Sequence, residues 1–316
     1  MLQLILLATL MGTALSFYDE SLHEMYLTMP RAEFVKHFNN QNYTWNMAED
    51  ADHISITGCV IPKPELHEML PTIRHSLEAI INAPESFDAR TQWPQCESIS
   101  QVYDQGHCGS CWTFGSATTA SDRTCIHKDV HVNLSEQDFD CCKTNVCEGG
   151  ANVDALNYWR DSGLVTQACK PYDIYKLNQT TCIRACVDSS MNYKGDKHFG
   201  SQVYNVDSDI ENIKAELSLN GPVVATIAIF ADFFDYRSGI YQHKYGDAGG
   251  YHSVRIIGYG VENGVGYWLG INSWGTGWGE SGSFKMQQGQ RDIGIENVYY
   301  YVTPNCRSAV TPRLAG

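Results

Sequence analysis

The sequence predicts an α+β fold: a helical first half, then a β-rich, barrel-like second half, with a cleft between them. Two observations carry this. Helical patterning occupies residues 110–127, opens again at Ser135-Glu-Gln-Asp138 and returns over Val153–Asp161. After residue 200 the pattern changes to glycine-punctuated runs rich in β-branched residues, Val223–Ile229, Ser253–Gly260 and Tyr267–Leu269. Helices and strands segregated along the chain give an α+β arrangement rather than an alternating one.

In chain order, residues 1–16 carry the apolar run Leu2–Leu15, closing on Ala14-Leu-Ser16. Small residues at the −3 and −1 positions predict a signal peptide cleaved after Ser16, and the run is too short to span a bilayer comfortably. Stable membrane insertion after cleavage is therefore not expected. Residues 17–82 are polar and helix-prone, with Phe34, Val35 and Phe38 at helical spacing and a single cysteine, Cys59. A small N-terminal domain and a removable segment both fit that composition. At Ala83 the texture changes abruptly. Hydrophobic residues make up 43% of the chain, enough for a sizeable core in 316 residues, while a formal charge of −14 gives no basic face for nucleic acid. Twelve cysteines and three Asn-x-Ser/Thr sequons, at Asn42, Asn133 and Asn178, suit an oxidising secretory route, lysosomal or extracellular.

The segment Gln105–Arg123 places Ser110 as an N-cap and Cys111 in the first turn of a helix through Trp112, Phe114 and Ala117. A thiol there meets the positive end of the helix dipole, which favours thiolate. Gln105 lies across a glycine turn, so its amide can face the same spot and donate to an oxyanion. The competing reading is a half-cystine before an ordinary buried helix.

The surrounding residues decide between them. The segment resembles the nucleophile segment of papain-like cysteine proteases. Ser86-Phe-Asp-Ala-Arg90, Trp93-Pro-Gln-Cys96, Asp122-Arg-Thr-Cys125, Gly195-Asp-Lys-His-Phe-Gly200, Ser238-Gly-Ile-Tyr-Gln-His243, Arg255-Ile-Ile-Gly-Tyr-Gly260, Val261-Glu-Asn-Gly264 and Asn272-Ser-Trp274 resemble the cathepsin B branch. The resemblance implies a papain-like two-subdomain fold over 83–316, with the helical half about 105–195 and the β-rich half about 200–303. It makes 17–82 a propeptide lying through the cleft. It also implies Cys111 as nucleophile, His252 as base, Asn272 orienting the imidazole, Trp274 shielding the His–Asn bond, and Gln105 in the oxyanion hole. A thiolate–imidazolium pair is the expected ground state. Gly149 and Gly150 resemble the glycine wall that binds substrate as a strand. Disulfides Cys96–Cys125, Cys108–Cys147, Cys141–Cys182 and Cys169–Cys186 follow by the same resemblance. Cys142 and Cys306 are then left over, each free or paired with the other.

Some positions depart from the branch. Tyr251 stands where glycine usually precedes the histidine. Val298 replaces an acidic residue at the base of the pocket for the second residue before the scissile bond, and Ala151 replaces an aromatic, so a roomy pocket preferring hydrophobic residues over Arg is expected. The segment between Cys169 and Cys186 is shorter than the branch's occluding loop and has no histidine, which implies an endopeptidase with an open cleft. Expected partners are peptide and protein substrates, the chain's own propeptide and cystatin-type inhibitors; no cofactor is expected. Cys141, Cys142 and Cys147, like His127 and His131, have spacings a metal could use, but the cysteines map onto the disulfides the resemblance implies and no His–Cys cluster matches a zinc pattern, so a metal site is a poor alternative. The alternative function is a catalytically weak homologue that binds peptides or partners.

Overall fold

The computed structural model describes residues 17–49, 60–177, 182–290 and 293–296. The N-terminal segment contains α1 (Glu20–Thr28), α2 (Arg31–Asn39), β1 (Trp45–Met47), α3 (Pro64–Glu68), β2 (Thr72–Ile73) and α4 (Leu77–Ile81). There follow β3 (Phe87–Asp88), α5 (Ala89–Gln92), α6 (Cys111–Lys128), α7 (Asn152–Ser162), α8 (Ile174–Leu177), β4 (Asn205–Val206) and α9 (Ile210–Asn220). The β-rich half holds β5 (Val223–Phe230), α10 (Ala231–Phe234), β6 (Tyr236–Tyr241), β7 (Ala248–Glu262), β8 (Val265–Ile271) and β9 (Ser283–Gln287).

The chain adopts the predicted α+β architecture. Its sheet runs β1-β6-β9-β8-β7-β3, with β5 also pairing with β7. Long β7 is the spine: β5 lies antiparallel along Ala248–Ile256, and β8 along Arg255–Glu262. Where β3 meets β7, a Cβ on Gly258 would sit 2.2 Å from the Phe87 carbonyl oxygen, so only glycine allows that pairing. Aromatic residues fill the core of this half, with Phe233 edge-on to Trp274, Trp278, Tyr241 and Phe284.

The helical half packs around α6, which is buried over most of its circumference, with Trp112 and Ala117 against Phe139 and Leu164. One expected helix is shorter than the sequence suggests. Ser135 does accept from the Asp138 N–H at 3.1 Å, but only a 3-10 turn over Gln137–Cys141 follows. Cys141 is drawn away into its disulfide with Cys182, which ends the turn. The other disulfides are Cys96–Cys125, Cys108–Cys147 and Cys169–Cys186, the pairs the resemblance implies. Cys142 carries no disulfide, and burial pushes its thiol up to about 11; Cys306 and Cys59 lie outside the described residues.

A buried ion pair joins the halves. Arg255 of β7 donates to Asp122 Oδ2 of α6 at 2.8 Å and to the carbonyls of Ser98, Ile99 and Gln101. The N-terminal segment docks on the β half at two places. Phe34, Phe38 and Trp45 join the aromatic core beside Tyr241 and Tyr245, and β1 pairs with β6. Further on, β2 pairs parallel to β4, and His75 Nε2 meets Glu216 of α9 at 2.8 Å.

Candidate active site

Cys111 opens α6 after a turn held by the Cys108–Cys147 disulfide and by Gly106, whose φ of +58 suits glycine. Ser110 occupies the N-cap position but its side chain makes no capping bond; its Oγ lies 3.0 Å from the Tyr172 hydroxyl instead. The side-chain cap expected from Ser110 is therefore absent, and its hydroxyl consumes none of the N–H groups of the first turn, which together with the helix dipole favour negative charge there.

Gln105 is fully buried beside this turn. Its Nε2 donates to the Cys108 carbonyl at 2.8 Å, and its Oε1 accepts from Ser273 Oγ at 2.6 Å, which fixes the amide orientation and leaves its second N–H for another acceptor. Tyr172 donates to the Gln105 carbonyl at 2.7 Å. Neither Ser273 nor Tyr172 was singled out from sequence, because each acts through Gln105 from a distant segment.

On the opposite wall, His252 lies in β7 and Asn272 follows β8. His252 Nε2 is 2.7 Å from Asn272 Oδ1, and that oxygen also accepts the Ser273 N–H at 2.8 Å. Since the oxygen only accepts, the imidazole carries its proton on Nε2 and keeps a lone pair on Nδ1, which has no hydrogen-bond partner among the described residues. The Trp274 ring lies over this pair, its centroid 4.8 Å from that of His252, and is itself buried. The two walls come close together one turn into α6. A Cβ on Gly115 would lie 2.4 Å from Ser253 Oγ. Gly115 shares a helix face with Cys111, one turn further along α6.

The N-terminal segment crosses the cleft here. The Val60 N–H donates to the Tyr251 carbonyl at 3.0 Å, Val60 bridges to Gly150, and the Ile61 N–H donates to the Gly150 carbonyl at 2.9 Å. Val60 packs in one cluster with Cys111 and Trp112. Gly150 must be glycine, since a Cβ there would meet the Trp112 indole at 2.5 Å. Under this cover His252 is fully buried, and desolvation pushes its imidazolium down to about 4, against the Asn272 bond, which favours the charged form. Burial therefore works against the imidazolium that the resemblance implies, while residues 60 and 61 are bonded to Tyr251 and Gly150.

The remaining expected positions are distributed as follows. Gly149 and Ala151 are buried, with Lys143 Nζ donating to the Gly149 carbonyl. Ala151 borders a cavity of about 530 Å³ that Ile61 and Lys63 also line. Asn42 and Asn133 are exposed, whereas Asn178 and Val298 lie outside the described residues. In the loop between Cys169 and Cys186, Lys176 ion-pairs with Asp173 at the surface and Arg184 is exposed. Among the described residues, the one group with metal-binding spacing is Asp140, Cys141 and Cys182, whose sulfurs are already spent in a disulfide.

Residues 83–303, which include Cys111 at the start of α6 and His252 in β7, match the family described as papain family cysteine protease. The chain belongs to that family and is a papain-like cysteine peptidase of the cathepsin B-like branch. It is 41% identical over 239 residues to a gut-specific cysteine proteinase of Caenorhabditis elegans, covering 69% of this chain and 73% of that one. Cathepsin B-like cysteine proteinase 5 of the same organism is 38% identical, over 75% and 82% of the two chains. Among solved structures, procathepsin B S9 from Trypanosoma congolense superposes with a TM-score of 0.74 at 31% identity, covering 84% of this chain and 94% of that one. The recombinant stem bromelain precursor, at 24% identity and TM-score 0.63, shares the fold over 86% and 87% of the two chains.

Proposed function

We propose that the chain is made as an inactive precursor of an endopeptidase that uses Cys111, His252, Asn272 and Gln105. The observation that carries the reading is the His252–Asn272 bond of 2.7 Å, with the asparagine oxygen fixed by the Ser273 N–H and the other imidazole nitrogen without a hydrogen-bond partner among the described residues. In the open enzyme that nitrogen takes the thiol proton, and the sulfur attacks the scissile carbonyl. The tetrahedral oxyanion is received by the spare Gln105 N–H and the backbone N–H of Cys111. The imidazolium then protonates the leaving amine, and a water deprotonated by the same ring releases the acyl group from sulfur.

Residues 17–82 act as the propeptide and block the cleft at Val60 and Ile61. Gly149 and Gly150 align the substrate backbone, with Ala151 and Val298 shaping the adjoining pocket so that Arg is disfavoured there. The short loop between Cys169 and Cys186 offers no imidazole to a terminal carboxylate, so cleavage is internal. Secretion or lysosomal delivery fits the leader, the four disulfides and the exposed sequons, and no described helix is long and apolar enough to cross a membrane. Digestion of a long peptide by processed protein, with products mapped over time, tests this. Internal fragments first are expected; successive loss of C-terminal dipeptides as the main course would overturn it.

A further inference from the structure

Strand β6 has β9 on one side, parallel to it at Ile240 and Tyr241, and β1 of the N-terminal segment on the other. In the β1 register Trp45 stands opposite Gly239, Asn46 opposite Ser238 and Met47 opposite Tyr236. The Ile240 N–H donates to the Thr44 carbonyl at 2.8 Å, and the Ile240 carbonyl accepts the Thr44 hydroxyl at 2.6 Å. The Gln242 carbonyl accepts the Trp45 indole N–H at 2.9 Å, and the Asp235 carbonyl accepts the Ala48 N–H at 2.8 Å. Gly239 lets the neighbouring backbone in, since a Cβ there would lie 2.4 Å from the Thr44 carbonyl oxygen. The buried Trp45 ring rests between Tyr241 and Tyr236, with centroids 5.3 and 6.2 Å away. Where this strand ends, the Arg31 guanidinium meets Asp235 Oδ1 at 2.8 Å, and Asp235 is itself buried.

Every one of those partners belongs to residues 17–82, so on the precursor reading above processing removes them together. What remains is an open strand edge with unpaired N–H and C=O groups, a template for another extended chain. Beside it lie an aromatic slot walled by Tyr236 and Tyr241 and a carboxylate, Asp235, that has lost its cation. We propose that this vacated edge docks extended segments of protein substrates as an added strand, with Trp opposite Gly239 and Arg or Lys near the place of Ala48. The ladder bonds take any sequence, and the slot and the carboxylate select side chains. Trp is favoured over Phe because the Gln242 carbonyl needs a donor, and a basic residue restores the charge that Arg31 balances. One chain reaches both β6 at Trp45 and the cleft at Val60, so a segment held at β6 concentrates the rest of its chain at Cys111.

The test uses processed protein whose active centres are titrated with an irreversible thiol-directed peptidyl probe. A fluorescent peptide with the sequence Asn42–Ala48 is expected to bind the probe-blocked processed protein and not the unprocessed chain. Replacing Trp45 by Ala in that peptide should weaken binding about tenfold or more, as for a buried aromatic anchor. Replacing Ala48 by Arg should tighten it, and D235N should cancel that gain. A fluorogenic substrate is then joined to the peptide, at either end, through a flexible spacer as long as the chain from Ala48 to Val60. In the better arrangement KM should fall about tenfold with kcat unchanged, the gain for a tethered concentration of about millimolar against a Kd about tenfold lower. G239A should abolish that gain, with turnover of the unlinked substrate reporting that the variant is folded. Equal binding to the unprocessed chain, or a KM that the tether leaves unchanged in both arrangements, overturns the proposal alone. So do dimers of processed protein that the peptide disperses, which would assign the edge to a second copy. Failure of the probe to label Cys111 overturns it together with the peptidase reading.

Discussion

Replacing Arg255 with Met tests how the two halves of the cleft are held in register. Arg255 is 2% exposed and Asp122 0%, and the guanidinium serves one carboxylate oxygen and three carbonyls at 2.8–3.3 Å. The substitution keeps an unbranched side chain of similar reach and strands a buried carboxylate whose remaining side-chain donor among the described residues is Ser98 Oγ. Breaking one partner of such a pair costs about 3–5 kcal/mol. For a chain of this size, roughly 2–4 °C of Tm per kcal/mol gives a fall of about 6–20 °C. The sign with pH follows from Asp122, whose carboxyl burial already holds above its usual value against the pull of Arg255. A carboxyl raised by folding gives stability that is present at low pH and lost as pH rises through its folded pKa. Without Arg255 that pKa climbs further, so the Tm deficit of R255M should shrink on acidification. Activity should fall as well, because Asp122 shares α6 with Cys111 and Arg255 shares β7 with His252, and small displacements between reacting groups are costly. Melting curves at neutral and acid pH decide the matter. A Tm within about 2 °C of wild type at neutral pH, less than about 1 kcal/mol, would refute the reasoning. So would a deficit that grows in acid.

Two further predictions concern the catalytic pair. Cys111→Ala should abolish hydrolysis and His252→Ala nearly so, with no further loss in the double variant, since the two act as one unit; Asn272→Ala should be milder, and active-site-normalised kcat/KM is the measurement. Substantial turnover by C111A would refute the mechanism. The covered cleft should also loosen in acid. His252 is held down at about 4 from 6.5, so the closed form loses stability progressively as pH falls through that window, by at most about 3 kcal/mol. Limited proteolysis of the unprocessed chain between Val60 and Ala83 reports this, and a cleavage rate per unit protease activity that stays flat across the window would contradict it.

What was legible in the sequence was what sits in short local motifs. The Cys111 segment, the run from His252 to Gly260 and the Asn272-Ser-Trp274 turn each carry their identity within a few residues, and the glycine-punctuated runs marked β5, β7 and β8. The polar contacts that join these pieces were not legible. Arg255 meets Asp122 across 133 residues of chain, and Asn152 meets Thr226 across 74, with nothing local in either sequence to mark the partner. Strand β1, only Trp45–Met47, exists because β6 offers it an edge; no three-residue pattern predicts that. The burial that pushes the His252 imidazolium down was not legible either, because it comes from packing rather than from a local motif.

The backbone bonds of Val60 and Ile61 to Tyr251 and Gly150 have a consequence that depends on covalent continuity. While the chain is intact, those bonds are made by a ligand tethered on both sides, whose effective concentration is of millimolar order and independent of how dilute the protein is. One cut between Ile61 and Ala83 changes the units of the problem. The same contacts then belong to a bimolecular complex, and occupancy of the cleft becomes a matter of dilution. The precursor should therefore stay shut at any concentration, whereas nicked protein should open on dilution and close again when concentrated.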